Sequence, residues 1–318
     1  MGTNLYTGCI DSVNRGIYDL SLGSSAAAGE GGSGNFFAHA MPPLIVVEHS
    51  LSAEYYGRAE SSLRSALNLY GDSVMANYLL GLVYERQGKN QQALDCFTAA
   101  NSLCPSGVKE IQLHLAQVCY NLKNYDMAIA VGEQILFAYP QEAEVYKICA
   151  QSAYAINDLE KTESFIVRIL LLEPENIDYV LMRAKILMEK QDYIRASSLL
   201  DVVQRKRPDA RNYYLLRARL QREWNKNNNA AVETMTKALV SWPKDTEILV
   251  LAADVASAAG NSIGGRSALD LAQMALSQDP GNSQALNIMV REFHKAGNSQ
   301  RAYEISSRLV ATGDAGKD

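Results

Sequence analysis

The glycines and histidines are the first residues of this chain that could carry chemistry. GEGGSG, residues 29–34, sets Gly29, Gly31 and Gly34 in the GxGxxG spacing that lets a backbone approach a pyrophosphate. That use needs a strand before the glycines and a helix opening from them. Here SSAAA precedes and NFFAHAMPP follows, so residues 24–34 read as a flexible linker. No Lys-Ser/Thr completes a phosphate loop. His39, His49, His114 and His294 lie far apart, with no HExxH and no Cys/His cluster of zinc spacing. A serine nucleophile elbow would need GxSxG and a sheet, and neither is visible. Carboxylate pairs such as Asp158 and Glu160 fit solvated turns. The expectation is no catalytic residue, no metal site, no cofactor and no enzyme.

Five cysteines, Cys9, Cys96, Cys104, Cys119 and Cys149, form no CxxC pair and read as reduced thiols packed as small apolar groups. The formal charge of −5 argues against general nucleic-acid binding, which needs a basic face. No apolar run approaches the roughly 18 residues of a membrane-spanning helix. No signal peptide is visible. TGC at residues 7–9 loosely resembles the end of a lipoprotein signal, without the hydrophobic segment that would precede it. The chain therefore reads as cytoplasmic, with an exported protein lacking its signal as the alternative.

The elements are legible from an internal period. Ala59, Ala93, Ala128, Thr162, Ala196, Ala231, Ala268 and Ala302 follow one another at spacings of 34, 35, 34, 34, 35, 37 and 34. A second set of small residues precedes them: Gly81, Ala116, Ala150, Ala184, Ala218, Ala253 and, at the end, Val290. Pro105, Pro140, Pro174, Pro208, Pro243 and Pro280 each stand 12 residues after their own Ala or Thr. The second half of the unit is thus fixed in length, and extra residues fall in the Asn-rich 225–229 and Gly-rich 260–266 stretches. Each unit reads as two helices. Leu79, Leu80, Val83 and Tyr84 make one apolar face, and Ala93, Leu94, Phe97 and Ala100 a second. Antiparallel helices packed about 8–10 Å apart need small side chains where they cross, which assigns Gly81 and Ala93 to the crossing.

Leu80-Gly81, Tyr84, Ala93, Phe97, Ala100 and Pro105 together resemble the tetratricopeptide repeat, a 34-residue helix–turn–helix unit. The resemblance implies an all-α fold, a right-handed α-solenoid (superhelix) of stacked units. It covers seven units at 74–108, 109–142, 143–176, 177–210, 211–245, 246–282 and 283–314. A degenerate unit is expected at 40–73, with a first helix near Pro43 and with Ala59, Leu63 and Ala66 in its second. Residues 1–39 form an N-terminal extension, in which Ile10, Val13, Ile17 and Leu20 suggest a short helix at 9–22. Residues 315–318 are a tail.

In this architecture the first helices line a concave face where partners bind. Three rows counted from the small residue of each first helix supply the candidates: Tyr78, Gln117, Tyr120, Gln151, Tyr154, Lys185, Arg219, Arg222 and Arg291. Early units offer Tyr and Gln, which give contact area and backbone hydrogen bonds. Middle units offer Lys185, Arg219 and Arg222, which would attract carboxylates, with Asp178, Glu189 and Glu223 as nearby neutralising groups. The family's clamp for a C-terminal carboxylate is not matched: Lys147 and Gln151 make a partial start and Met182 breaks it. The expectation is a non-catalytic scaffold or adaptor holding a protein or peptide with an acidic portion in the groove, with no nucleic acid and no transmembrane segment. The alternative is an exported, lipoprotein-like accessory protein binding a small or lipidic ligand in association with transport.

Overall fold

The structure is a computed structural model describing residues 49–104 and 107–311. The extension at 1–39, Pro105 and the tail lie outside these residues. The described residues hold fifteen α-helices and no strand, only an isolated bridge between Ile263 and Arg266. Contacts divide the chain into two units, Met1–Pro174 and Glu175–Asp318.

The first unit holds α1 (His49–Leu69) and three helix pairs: α2 (Val74–Arg86) with α3 (Asn90–Ser102), α4 (Lys109–Asn121) with α5 (Tyr125–Ala138), and α6 (Ala143–Ala155) with α7 (Leu159–Leu172). The second holds four: α8 (Ile177–Glu189) with α9 (Tyr193–Lys206), α10 (Arg211–Glu223) with α11 (Asn228–Ser241), α12 (Thr246–Ala259) with α13 (Ala268–Gln278), and α14 (Ser283–Lys295) with α15 (Ser299–Ala311). Within each unit every helix packs on the next in chain order. The result in each is an all-α solenoid of stacked helix pairs.

The small residues sit where the pairs cross. Ala59, Ala93, Ala128, Thr162, Ala196, Ala231 and Ala302 are 0% exposed, and Ala268 6%. A Cβ on Gly81 would stand 2.6 Å from Phe97 Cε1, so this pair is closed to the width of one missing methyl. A second close approach joins successive pairs: a Cβ on Gly132 of α5 would stand 2.3 Å from Cys149 Sγ of α6. The four described cysteines are free thiols. Burial pushes Cys119 up to about 11 and Cys149 up to about 12, which keeps both protonated and inert.

One turn recurs inside the pairs. Gly88, Lys123, Asn157, Gln191, Gly260 and Gly297, each seven residues after the small residue of the first helix, have φ between 60° and 73°. The residue after each donates its N–H to the carbonyl five positions back, as Lys89 does to Tyr84 at 2.9 Å and Asp192 to Leu187 at 2.7 Å. That bond satisfies a carbonyl the helix end leaves orphaned and reverses the chain. Asp158 and Asp192 then cap the next helix, accepting from Lys161 N and Arg195 N at 3.0 and 3.1 Å. The far end is closed by proline: Pro140, Pro174, Pro208, Pro243 and Pro280 each stand two residues past their helix.

Insertions leave the pairs intact. In the 260–266 stretch Ile263 is fully buried, while Gly264 and Gly265 form a left-handed tip with φ of 58° and 75°. The degenerate N-terminal unit differs from expectation in one respect. Helix α1 runs without a break through 54–56, where the other units turn. Its Ala59, Leu63 and Ala66 are fully buried, the second-helix pattern, and residues before 49 lie outside the description.

Candidate partner-binding surface

In the first unit the candidate residues lie on α2, α4 and α6. Tyr78 is half-buried, its ring centroid 6.0 Å from that of Phe97 and 5.9 Å from that of His114. Burial, helped by Glu110 and Glu85, pushes its phenol up to about 12. Tyr78 is therefore a packed aromatic that joins α2 to α4. His114 stacks on Phe97 at 5.4 Å and sets Nδ1 2.8 Å from Glu85 Oε2. Gln117 donates to Asn121 Oδ1 at 3.1 Å, and the Tyr120 ring lies 5.8 Å from Tyr125. On α6, Gln151 is exposed and Tyr154 half-buried. Lys147, between the two helices' rows, is held by Glu144 at 2.7 Å and Glu173 at 2.8 Å.

The structure brings Gln117 with Tyr120 and Gln151 with Tyr154 to matching places on two contacting helices. They belong to one sequence element used twice: Ala116-Gln117-Val118-Cys119-Tyr120 and Ala150-Gln151-Ser152-Ala153-Tyr154. In each, the Ala and the two residues before Tyr are turned into the core, and Gln and Tyr are not fully buried.

The second unit presents a different surface. Arg219 donates to Glu247 at 3.2 Å. Arg222 and Arg291 share Asp254, with Arg291 at 2.5 Å. Arg211 grips Asp245 with two bonds of 2.7 and 2.8 Å and reaches Glu247 at 2.9 Å. Its guanidinium holds the Asp245 carboxyl below the usual carboxylate range, and the Ile248 N–H adds to this. Ser257 donates to Glu292 at 2.6 Å, and Lys295 reaches both. Lys185 is half-buried, and Met188 of the same face is buried. The groups tied to Arg211, Arg219 and Arg222 are Asp245, Glu247 and Asp254, one repeat downstream, while Arg291 reaches Asp254 one repeat upstream.

Sequence reasoning missed one aromatic feature. Tyr193 and Trp224 stand with ring centroids 6.3 Å apart and planes 13° from parallel. With Lys190, Gln191, Asp192 and Ile194 they line a shallow recess of about 340 Å³. Its signal was Trp224 immediately after a helix, where the turn gains a residue. Among the described residues no group of three His, Cys, Asp or Glu could hold a metal ion, and no helix is long and apolar enough to cross a membrane.

A family model for the tetratricopeptide repeat matches residues 51–108, the stretch from α1 through α3. The fold is similar to that of a tetratricopeptide repeat protein from Parabacteroides merdae, with a TM-score of 0.65 at 13% identity over 77% of this chain and 94% of that one. It is also similar to PilF of Pseudomonas aeruginosa, with a TM-score of 0.52 at 16% identity over 78% of this chain and 99% of that one. Residues 51–108 match the tetratricopeptide repeat, and the described helix pairs share the fold of tetratricopeptide-repeat proteins. Yeast Tom70 gives a TM-score of 0.53 at 15% identity over 83% of this chain and 56% of that one. At these identities the likeness is one of fold. Among curated proteins, none matches this chain in sequence. A fold of this kind, with helix pairs stacked in series, has the architecture of a protein-interaction scaffold.

Proposed function

We propose that this protein is a non-catalytic scaffold that holds an extended peptide segment of a partner protein across α4 and α6. The observation that supports this reading is the doubled Ala-Gln-x-x-Tyr element, which sets Gln117 and Tyr120 beside Gln151 and Tyr154. Helices pack about 8–10 Å apart, and three residues of extended chain rise about 10 Å. The two Gln–Tyr pairs thus suit a segment read every third residue, Gln bonding its backbone and Tyr covering its side chains. Along this face amides and phenols, with the ion-paired Lys147 beside them, are spread over successive helices, an arrangement suited to contact more than to bond-breaking. An acidic ligand at Arg219, Arg222 and Arg291 would have to displace Glu247 and Asp254, so the first unit is the better-supported site.

Peptides selected on the intact chain by display would test the proposal. Selected peptides should lose binding to a Tyr120→Ala/Tyr154→Ala variant and keep it with Tyr303→Ala, a change at an exposed residue of α15. Equal binding by both variants would refute it.

A further inference from the structure

We propose that a second, basic surface formed by Arg205, Arg207, Lys237 and Lys244 holds an acidic segment of a partner protein, anchored by an apolar side chain on Val240. This surface is built from α9, α11 and the turns that follow them, and does not depend on the reading above.

Arg211, Arg217, Arg219, Arg222 and Arg291 of the second unit each hold a carboxylate of their own chain. Lys206 holds Glu175 at 2.6 Å. Arg205, Arg207, Lys237 and Lys244 are exposed, and among the described residues none has a carboxylate within ion-pair distance. Four acids are near in sequence: Asp201 precedes Arg205 by one helical turn, Asp209 follows Arg207 by two, Glu233 precedes Lys237 by one helical turn and Asp245 follows Lys244 directly. Arg217 holds Asp201 and Arg211 holds Asp245, and neither Asp209 nor Glu233 closes a pair with these four, so positive charge remains in excess.

Register sets the four at the same end of two successive helix pairs. Arg205 of α9 and Val240 of α11 each stand nine residues after the crossing alanine of their helix, Ala196 and Ala231. They therefore lie at the same level on the second helices of successive pairs. Arg207 follows directly as the residue capping α9, and Lys244 lies in the turn after α11. Lys237 is three residues before Val240, on the same side of α11. The negative ends of α9 and α11 favour cations in their last turns, which accounts for part of this composition. It does not account for Lys244 in the turn, nor for Val240, 80% exposed in the middle of the cluster.

Charge and shape favour an acidic protein segment. Carboxylates of such a segment would complete pairs with Arg forks and Lys points, and an apolar residue among them would cover Val240. A nucleic acid offers phosphates to the cations without an aliphatic side chain to cover Val240.

The test titrates the intact chain with a labelled peptide carrying Glu-Glu-Leu-Glu-Glu, read by fluorescence anisotropy at low and moderate salt. Arg205→Glu with Lys237→Glu should weaken binding about tenfold or more, since it reverses both charges. Val240→Ser, and replacement of the peptide's leucine by serine, should each weaken it by a smaller factor. Arg219→Gln with Arg222→Gln should leave it unchanged. Thermal melts, and the milder Arg205→Gln with Lys237→Gln pair, separate lost binding from lost folding. Undiminished binding by the folded Arg205/Lys237 variants, or loss confined to the Arg219/Arg222 variant, overturns the proposal. So does tighter binding of a DNA hairpin or of phosphatidylserine vesicles through the same four residues.

Discussion

Gly81 of α2 and Phe97 of α3 meet so closely that a Cβ on the glycine would lie 2.6 and 2.7 Å from two ring carbons. Phe97 is fully buried, so its ring has nowhere to go. An alanine here gains about 1 kcal/mol of helix propensity. It also overpacks a filled site, at about 1–3 kcal/mol. With two ring carbons of a fully buried Phe97 in the way the second term wins, and Gly81→Ala should lower stability by up to about 2 kcal/mol in chemical denaturation. Gly57 of α1 has nothing within 4 Å of its added Cβ, so Gly57→Ala should raise stability by up to about 1 kcal/mol. Opposite signs for one substitution would isolate the crossing as the cause.

Ser152 of α6 should be improvable. It is fully buried and its Oγ has no hydrogen-bond partner. The same place in other first helices holds Val83, Val118, Ile186, Leu220 and Val255, all buried. Removing an unsatisfied buried hydroxyl relieves its desolvation penalty. Ser152→Ala should stabilise by about 1 kcal/mol, read as a higher denaturation midpoint with an unchanged slope. A midpoint that falls would show that the hydroxyl has a partner.

The left-handed turns give a third expectation. Lys123 and Gln191 adopt φ of 62° and 60°, which costs a side chain about 1–2 kcal/mol and costs glycine little. Lys123→Gly and Gln191→Gly should each stabilise by about 0.5–1 kcal/mol after glycine's extra chain entropy is subtracted. Asn157, at 62°, tolerates this region better, and Asn157→Gly should gain less.

Asp245 makes stability fall in acid. The side-chain bond from Arg211 is the largest cause of its lowered pKa. A carboxylate with a depressed folded-state pKa stabilises fully above its unfolded value and loses that contribution as pH drops through the folded value. The loss should therefore set in below about pH 4. Melts between pH 6 and 3 should show a steeper decline for the native chain than for Asp245→Asn. Parallel curves would mean that the pair forms equally in the unfolded chain.

The helix pairs were legible because a crossing leaves a mark that composition does not blur. Ala at 34- to 37-residue intervals, with Pro at a constant offset, has few other causes. Even Thr162, the exception in that row, fits: it is fully buried and returns its hydroxyl to Asp158 O at 2.6 Å. The surface was less legible. Arg219 and Arg222 were expected to face a partner, yet their carboxylates, Glu247 and Asp254, lie 28 and 32 residues ahead. Neighbours in sequence are a poor guide in a stack; the acid to look for stands about one period away, downstream as Asp245 does for Arg211 or upstream as Asp254 does for Arg291. The unbroken α1 had no visible signal, since nothing in 54–56 marks a turn or forbids one. The open cations at Arg205, Arg207, Lys237 and Lys244 could not be told from the paired ones by residue type alone.

The glycine tip at 264–265 has a practical corollary. Ile263 is buried beneath it and the bridge to Arg266 shuts its base, so the stem is held independently of whatever tops it. Foreign sequence spliced between Gly264 and Gly265 would leave from a closed stem, and loop entropy rises only slowly with added length. The position is therefore a natural graft point for an epitope or a reporter, sparing every helix that carries the repeat.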